Sequence, residues 1–167
     1  MIIAVDGPSA SGKGTVAKII AEYFQINYLD TGLLYRALAF KTIKNYKTAS
    51  LKNALKVVNG LTEDDLSGPQ LRLQKFGEIA SKLAKEKQIR DALLAFQRNF
   101  PNQSNGAVLD GRDIGSIVFP EAQIKLFVTA NLSIRAVRRQ KDMKRMGQNI
   151  SLEDLEASLK ARDQRDI

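Results

Sequence analysis

The sequence predicts a three-layer α/β fold with a mostly parallel sheet and helices on both faces. Three observations carry that expectation. Short apolar runs rich in β-branched residues alternate with stretches of helical spacing. The first three such runs end in polar or glycine-bearing clusters, at Asp6-Gly7, Asp30-Thr31-Gly32 and Asp110-Gly111-Arg112. No internal repeat or low-complexity tract interrupts the alternation. In open parallel sheets, ligands gather at the carboxyl ends of strands, which is where these clusters fall.

The first strand is Ile2-Ile3-Ala4-Val5-Asp6. It breaks into Gly7-Pro8-Ser9-Ala10-Ser11-Gly12-Lys13-Gly14-Thr15 and then into a helix through Val16–Ala21. The spacing Gly7-x4-Gly12-Lys13 matches a phosphate-binding loop at a strand-to-helix junction. Glycines let successive backbone N–H groups curl toward an anion. The helix start adds its positive dipole end, and Lys13 supplies a point charge. One departure is visible: Gly14 follows the lysine, and the hydroxyl is deferred to Thr15.

Asn27-Tyr28-Leu29 reads as the second strand, closed by a small polar loop at Asp30-Thr31-Gly32 that opens a helix carrying Leu33, Ala37 and Phe40. By position alone, Arg36 reads as a solvated helix arginine. Residues 41–70 suggest only short helical turns and a loop. Two apolar stripes follow, Phe76, Ile79, Ala80 and Leu83, then Ile89, Ala92, Leu93 and Phe96; both read as packing faces.

A turn cluster at Pro101–Gly106 releases into the third strand, Ala107–Asp110. A carboxylate just past a strand is where nucleotide sites place a metal-directed acid. Asp113 reads equally as a site carboxylate or as the cap of a short turn. Ile124–Val128 is the fourth strand, and Ser133 is the expected N-cap of the next helix. On that helix Arg135, Arg138, Arg139 and Asp142 share a face. Ser151–Asp154 resembles a capping box opening the last helix, whose inward stripe is Leu152, Leu155 and Leu159. Arg162 and Asp166 continue that stripe, and charged groups facing inward need partners, so both are expected to border a site.

Composition narrows the function classes. With 167 residues, 44% hydrophobic and 26% charged, the chain has one domain's length and an ordinary globular balance. Cysteine and histidine are both absent, which excludes thiol chemistry, histidine-ligated metals and the commonest general base. No apolar run is long enough to span a bilayer, and no signal peptide is recognisable, so a cytoplasmic protein is expected. The formal charge of +8 suits either a nucleic-acid groove or a cleft for polyanionic nucleotides. Tryptophan is missing and aromatics are few, so the second reading is favoured and no nucleic-acid partner is expected. Without a heptad seam, a monomer is expected.

Four motifs in order resemble the nucleoside monophosphate kinases, and most closely the bacterial cytidylate kinases. They are Asp6–Thr15, Asp30-Thr31-Gly32-x-x-Tyr35-Arg36, Asp110–Gly115 and Ala161-Arg162-Asp163-Gln164-Arg165-Asp166. The resemblance implies a P-loop NTPase fold with an NMP-binding helical insertion and an arginine-rich lid. A single kinase domain over 1–167 would divide into a core (1–32, 100–132 and 148–167), an NMP-binding segment (about 33–99) and a lid (about 133–147). It implies transfer of the ATP γ-phosphoryl group to CMP or dCMP, with Mg²⁺.

Carried over residue by residue, Gly7, Pro8, Ser9, Ala10, Ser11, Gly12, Lys13, Gly14 and Thr15 would hold the ATP phosphates. Thr31, Arg36 and Arg112 would bind the acceptor, the arginines at its phosphate. Ser81, Arg90 and Asp113 match positions that read cytosine, and Arg162 with Asp166 those facing the acceptor's sugar and phosphate. Arg138 and Arg139 match lid arginines; Asp110, through water, and Thr15 match positions near Mg²⁺. The segment between Ala39 and Ser81 is shorter than in many bacterial members. The family pattern also continues beyond Ile167 with a further arginine, strand and closing helix, so the sequence is expected to be a fragment whose fourth strand would form an apolar sheet edge. Two other classes fit less of the pattern: a P-loop kinase of another small acceptor, and a nucleotide-binding module without turnover.

Overall fold

The computed structural model describes residues 1–103 and 105–165. The chain forms two compact units, Met1–Leu29 with Pro101–Ile167, and Asp30–Phe100. Among the described residues, no helix is long and apolar enough to cross a membrane.

In the first unit, β1 (Ile2–Asp6) lies inside a four-stranded sheet ordered β2-β3-β1-β4, with β2 at Asn27–Asp30, β3 at Ala107–Gly111 and β4 at Ile124–Phe127. β1 pairs in parallel with both β3 and β4. All of β3 is buried, as are Ile3, Ala4 and Val5 of β1, which is why both read as unbroken apolar runs rather than alternating ones. Val5 lies opposite Asp110 and Asp6 opposite Gly111. That register ends the two strands level, so the loop after β1 and the Gly111-Arg112-Asp113 segment leave the sheet along one edge.

Helix α1 (Lys13–Phe24) packs Ala17 and Ala21 against Ile3, Val5 and Val108. Alanines at the contact let the helix axis lie close to the strands. β4 is the end strand of the order, and Phe127 is 73% exposed.

Two later helices, α6 (Leu132–Arg145) and α7 (Leu152–Arg165), meet around Ala136, Leu155 and Leu159. The N-cap of α6 is Asn131, not Ser133, and it makes no side-chain capping bond. Its start is instead fixed by Arg135, whose Nε donates to the Ala130 carbonyl at 3.0 Å. Ser151 does cap α7: its Oγ accepts from Asp154 N at 3.0 Å and donates to the Asp154 carboxylate at 2.6 Å. Leu152 is exposed, because it occupies the first turn before the helix reaches its packing partner; Leu155 and Leu159 form the inward stripe.

The second unit is helical. α2 spans Thr31–Tyr46, α3 Leu51–Val58, α4 Gln74–Leu83 and α5 Lys87–Asn99, with short 3-10 turns at Glu63–Leu66 and Pro69–Arg72. The polar loop expected after β2 does not exist. Asp30 is itself the N-cap of α2, its carboxylate accepting from Leu33 N at 3.0 Å. Within 41–70, α2 runs on to Tyr46 and α3 forms a full helix, capped by Ser50 and burying Ala54, Val57 and Val58. Leu34, Leu38, Leu71, Phe76, Ile89 and Leu93 lie in its core, with Phe40 edge-on to Phe76 at 5.3 Å. Each such side chain contributes about 1.5–3 kcal/mol by leaving water.

Candidate functional site

The loop between β1 and α1 is shaped by backbone geometry. Gly7 has φ +152°, a β-carbon there would run into the Val128 carbonyl, and Asp6 O accepts from Val128 N at 2.8 Å. Glycine is therefore required where the loop leaves the sheet. Pro8, Ser9 and Ala10 carry the chain over to Ser11, which is buried and whose Oγ accepts from Lys13 N at 3.4 Å. Helix α1 begins at Lys13 with no side-chain cap and no acidic residue in its first turn. Such a start carries no carboxylate of its own against the positive end of the helix dipole, which favours an anion site. Thr15 lies exposed in the first turn.

At the base of the loop sits Asp110, 3% exposed. The Lys13 ammonium is 3.9 Å from its Oδ2, and the Tyr28 phenol donates to its Oδ1 at 2.8 Å. A carboxylate this buried requires such partners, because water is not there to solvate it.

One strand away, Asp6 fixes the segment that follows β3. Its two carboxylate oxygens accept from Ile114 N at 2.9 Å and Gly115 N at 2.8 Å, where the chain forms a π-turn over Ile114–Val118. Arg112 and Asp113 lie between β3 and that turn. Asp113 precedes the turn without a side-chain capping bond; its carbonyl accepts from Ile117 N and Val118 N instead. Of the two readings of Asp113, the cap is carried by backbone.

Two arginines of α6 donate to carbonyls of the loop. Arg138 Nη1 donates to the Ser11 carbonyl at 2.8 Å, and Arg135 Nη1 to the Ser9 carbonyl at 3.2 Å. Arg139 lies half-buried on the same helix, and Arg162 half-buried on α7. Asp166 lies outside the described residues.

The remaining expected residues stand in the helical unit. Thr31 is buried at the first position of α2. Arg36, one turn on, donates through Nη1 to the carbonyls of Leu71 and Leu73 at 2.8 and 3.2 Å. Arg90 of α5 donates to the carbonyls of Ala84 and Lys85 at 2.9 and 2.7 Å, closing the end of α4. The Ser81 hydroxyl on α4 is buried and makes no hydrogen bond among the described residues.

A model of the family described as cytidylate kinase matches residues 3–167. The chain belongs to the cytidylate kinase family. It is similar to the cytidylate kinases of Paramagnetospirillum magneticum (45% identical, 99% of this chain and 80% of the relative) and Acidiphilium cryptum (47% identical, 99% and 78%). That of Xanthobacter autotrophicus is 42% identical, with 99% and 80% covered. A solved Thermus thermophilus structure aligns over 100% of this chain and 80% of its own at 20% identity, with a TM-score of 0.47.

Kinases of this family imply magnesium beside the nucleotide phosphates. Among the described residues, no cluster of three or more acidic, histidine or cysteine side chains could cage a metal. Magnesium bound with nucleotide phosphates needs no cage; one or two protein oxygens suffice beside phosphate and water. Asp110 Oδ2, turned toward Lys13, and the exposed Thr15 hydroxyl are hard oxygen donors of that kind. The residues fit.

Three residues that the sequence does not single out hold the loop, Asp110 and the segment after β3: Tyr28, readable only as a strand residue, Asp6, present only within its motif, and Arg135, one of a helical face. Tyr28 had one available signal, a hydroxyl-tipped aromatic two positions before a strand's carboxyl end. Arg135 had another, its i,i+3 spacing to Arg138.

Proposed function

We propose that this chain transfers the γ-phosphoryl group of ATP to CMP or dCMP, giving ADP and CDP or dCDP. The observation that carries the reading is the Lys13–Asp110 pair beneath an anion-binding helix start. Residues 7–15 hold the triphosphate, with amides on its oxygens and the Lys13 ammonium on the outer phosphates. Arg112, Arg138 and Arg139 neutralise charge on the transferring group. Phosphoryl transfer runs through a loose transition state in which positioning and charge outweigh a protein base, which suits a chain without histidine. Asp110 and Thr15 would hold Mg²⁺, Asp110 through water. When bound, that ion supplies charge neutralisation between the phosphates.

Thr31, Arg36, Arg112, Arg162 and Asp166 bind the acceptor's sugar and phosphate. Ser81, Arg90 and Asp113 read the base: a carboxylate accepts from the exocyclic amine, while serine and arginine address the carbonyl and ring nitrogen. The unpaired Ser81 hydroxyl supports this, since a buried hydroxyl gains most from a ligand that completes it. A wrong base would leave such groups unmatched at about 1–3 kcal/mol each. The division into core, NMP-binding segment (about 33–99) and lid (about 133–147) belongs to the same reading, as does action as a cytoplasmic monomer on free nucleotides.

The test is an acceptor panel followed by coupled ADP release. CMP and dCMP should outrun AMP, UMP and shikimate in the presence of ATP and magnesium. Equal rates across the panel would remove the assignment of Ser81, Arg90 and Asp113.

A further inference from the structure

With the role of Asp110 taken from the kinase reading, we propose that Tyr28 is its positioning residue and that Gly14 is the space their pairing requires. Tyr28 in β2 and Asp110 in β3 stand on neighbouring strands. The phenol donates to Oδ1 at 2.8 Å, while Oδ2 lies 3.9 Å from the Lys13 ammonium. At 3% exposure, the rotation of this carboxylate is set by protein partners rather than by water. The phenol therefore claims one oxygen and turns the other toward the lysine and the loop. Tyr28 has little freedom to do otherwise. Its ring packs on the cluster of Ile3, Val5, Ala17, Ala21 and Val108, and the Lys18 ammonium lies 5.7 Å from its centroid.

Gly14 belongs to the same arrangement. A β-carbon there would stand 3.3 Å from the Tyr28 hydroxyl and 3.7 Å from Asp110 Oδ2. The first distance is tighter than ordinary packing, so the hydroxyl must give by a few tenths of an ångström, at the expense of its bond to the carboxylate. A serine at 14 would press on the phenol and weaken its hold on Asp110. The departure noted in the sequence suits this spacing: glycine at 14 leaves room for the phenol, and the hydroxyl stands at Thr15 instead.

Tyr28→Phe keeps the ring and deletes the hydroxyl. ATP affinity is measured by calorimetry with and without magnesium, beside kcat, the KM for CMP and the melting temperature. The variant should lose about tenfold in the magnesium-dependent gain in ATP affinity and in kcat. Its metal-free ATP affinity and its KM for CMP should stay unchanged. Gly14→Ser should show the same losses alone and less than about twofold further loss on top of Tyr28→Phe, since the two act through one contact. If Asp110→Asn abolishes the magnesium gain while Tyr28→Phe leaves it intact, the positioning role is wrong and the kinase reading stands. If neither change moves the magnesium gain, the role of Asp110 falls and the positioning role falls with it. A drop in melting temperature with equal losses in metal-free and magnesium-bound affinity would make Tyr28 merely structural and overturn the proposal.

Discussion

The guanidinium of Arg36 lies across the open face of Gly77: a β-carbon at Gly77 would stand 2.5 Å from Nη2 and 3.0 Å from Cζ. Arg36 is held there by the carbonyls of Leu71 and Leu73, just ahead of α4. The glycine is thus a seat for an arginine rather than a turn.

Gly77→Ala should separate binding from stability. The atoms in the way are the far end of a flexible side chain, so Arg36 is displaced and the backbone of α4 stays. Alanine gains about 1 kcal/mol over glycine in a helix interior. The melting temperature should therefore hold or rise, while the KM for CMP increases about tenfold through loss of a charge-assisted contact. ATP affinity should not move. Steady-state kinetics with CMP varied decides it, and an unchanged KM would remove Arg36 from the acceptor site.

Arg135 and Asp163 form a two-pronged ion pair, Nη1 to Oδ1 at 3.1 Å and Nη2 to Oδ2 at 2.6 Å, with the arginine side chain 7% exposed. Breaking one side leaves a buried guanidinium that retains only its carbonyl partners at Ser9 and Ala130 among the contacts described. Asp163→Asn should cost about 2–3 kcal/mol of stability in urea unfolding. A loss below about 0.5 kcal/mol would mean that water replaces the carboxylate readily.

Lys41 and Asp65 give the chain a pH-dependent increment. Burial pushes the Asp65 carboxyl up, but hydrogen bonds from Lys41 and Thr62, with the lysine's charge, outweigh it and hold the group below its ordinary value of 3.8. The Lys41 ammonium donates to Oδ2 at 2.6 Å. A carboxylate with a depressed folded pKa stabilises fully above its ordinary value and loses that contribution as pH falls through the folded one. Lys41→Met should be less stable than the parent by under about 1 kcal/mol at pH 7, since the pair is partly exposed. The gap should narrow progressively as pH falls below about 4. Urea melts at pH 7, 5, 3 and 2 measure it; a gap that does not narrow as pH falls would assign the loss to packing.

What was legible in the sequence was what chemistry dictates locally. The loop from Gly7 to Thr15 shows itself because an anion cradle needs glycines and a lysine at fixed spacing, and strands β1 and β3 show themselves because burial on both faces leaves only apolar residues. The partnership of Tyr28 with Asp110 spans 82 residues, so neither neighbourhood names the other. Helix α3 does carry Leu51, Ala54, Leu55 and Val58 at helical spacing, but it is only eight residues long and its polar flanks read as turns. The loop expected at Asp30-Thr31-Gly32 failed for a related reason: an aspartate that ends a strand can cap the next helix directly, and composition does not distinguish the two.

Lys13→Ala tests the loop itself. The ammonium does two things at once: it stands 3.9 Å from a buried carboxylate, and it is the loop's point charge for an incoming phosphate. Removing it leaves Asp110 with the Tyr28 hydrogen bond but without that cation, so a modest fall in melting temperature is expected. The larger effect belongs to the reaction. Charge developing on the transferring group loses a preorganised partner, and phosphoryl transfer should fall roughly 10²–10³-fold. ATP affinity, followed by displacement of a fluorescent analogue, should weaken as well. Lys13→Arg should not restore the rate, because a planar fork is bulkier than an ammonium and is not a compact point charge. Transfer and ATP binding both surviving in Lys13→Ala would show that residues 7–15 do not hold the phosphates.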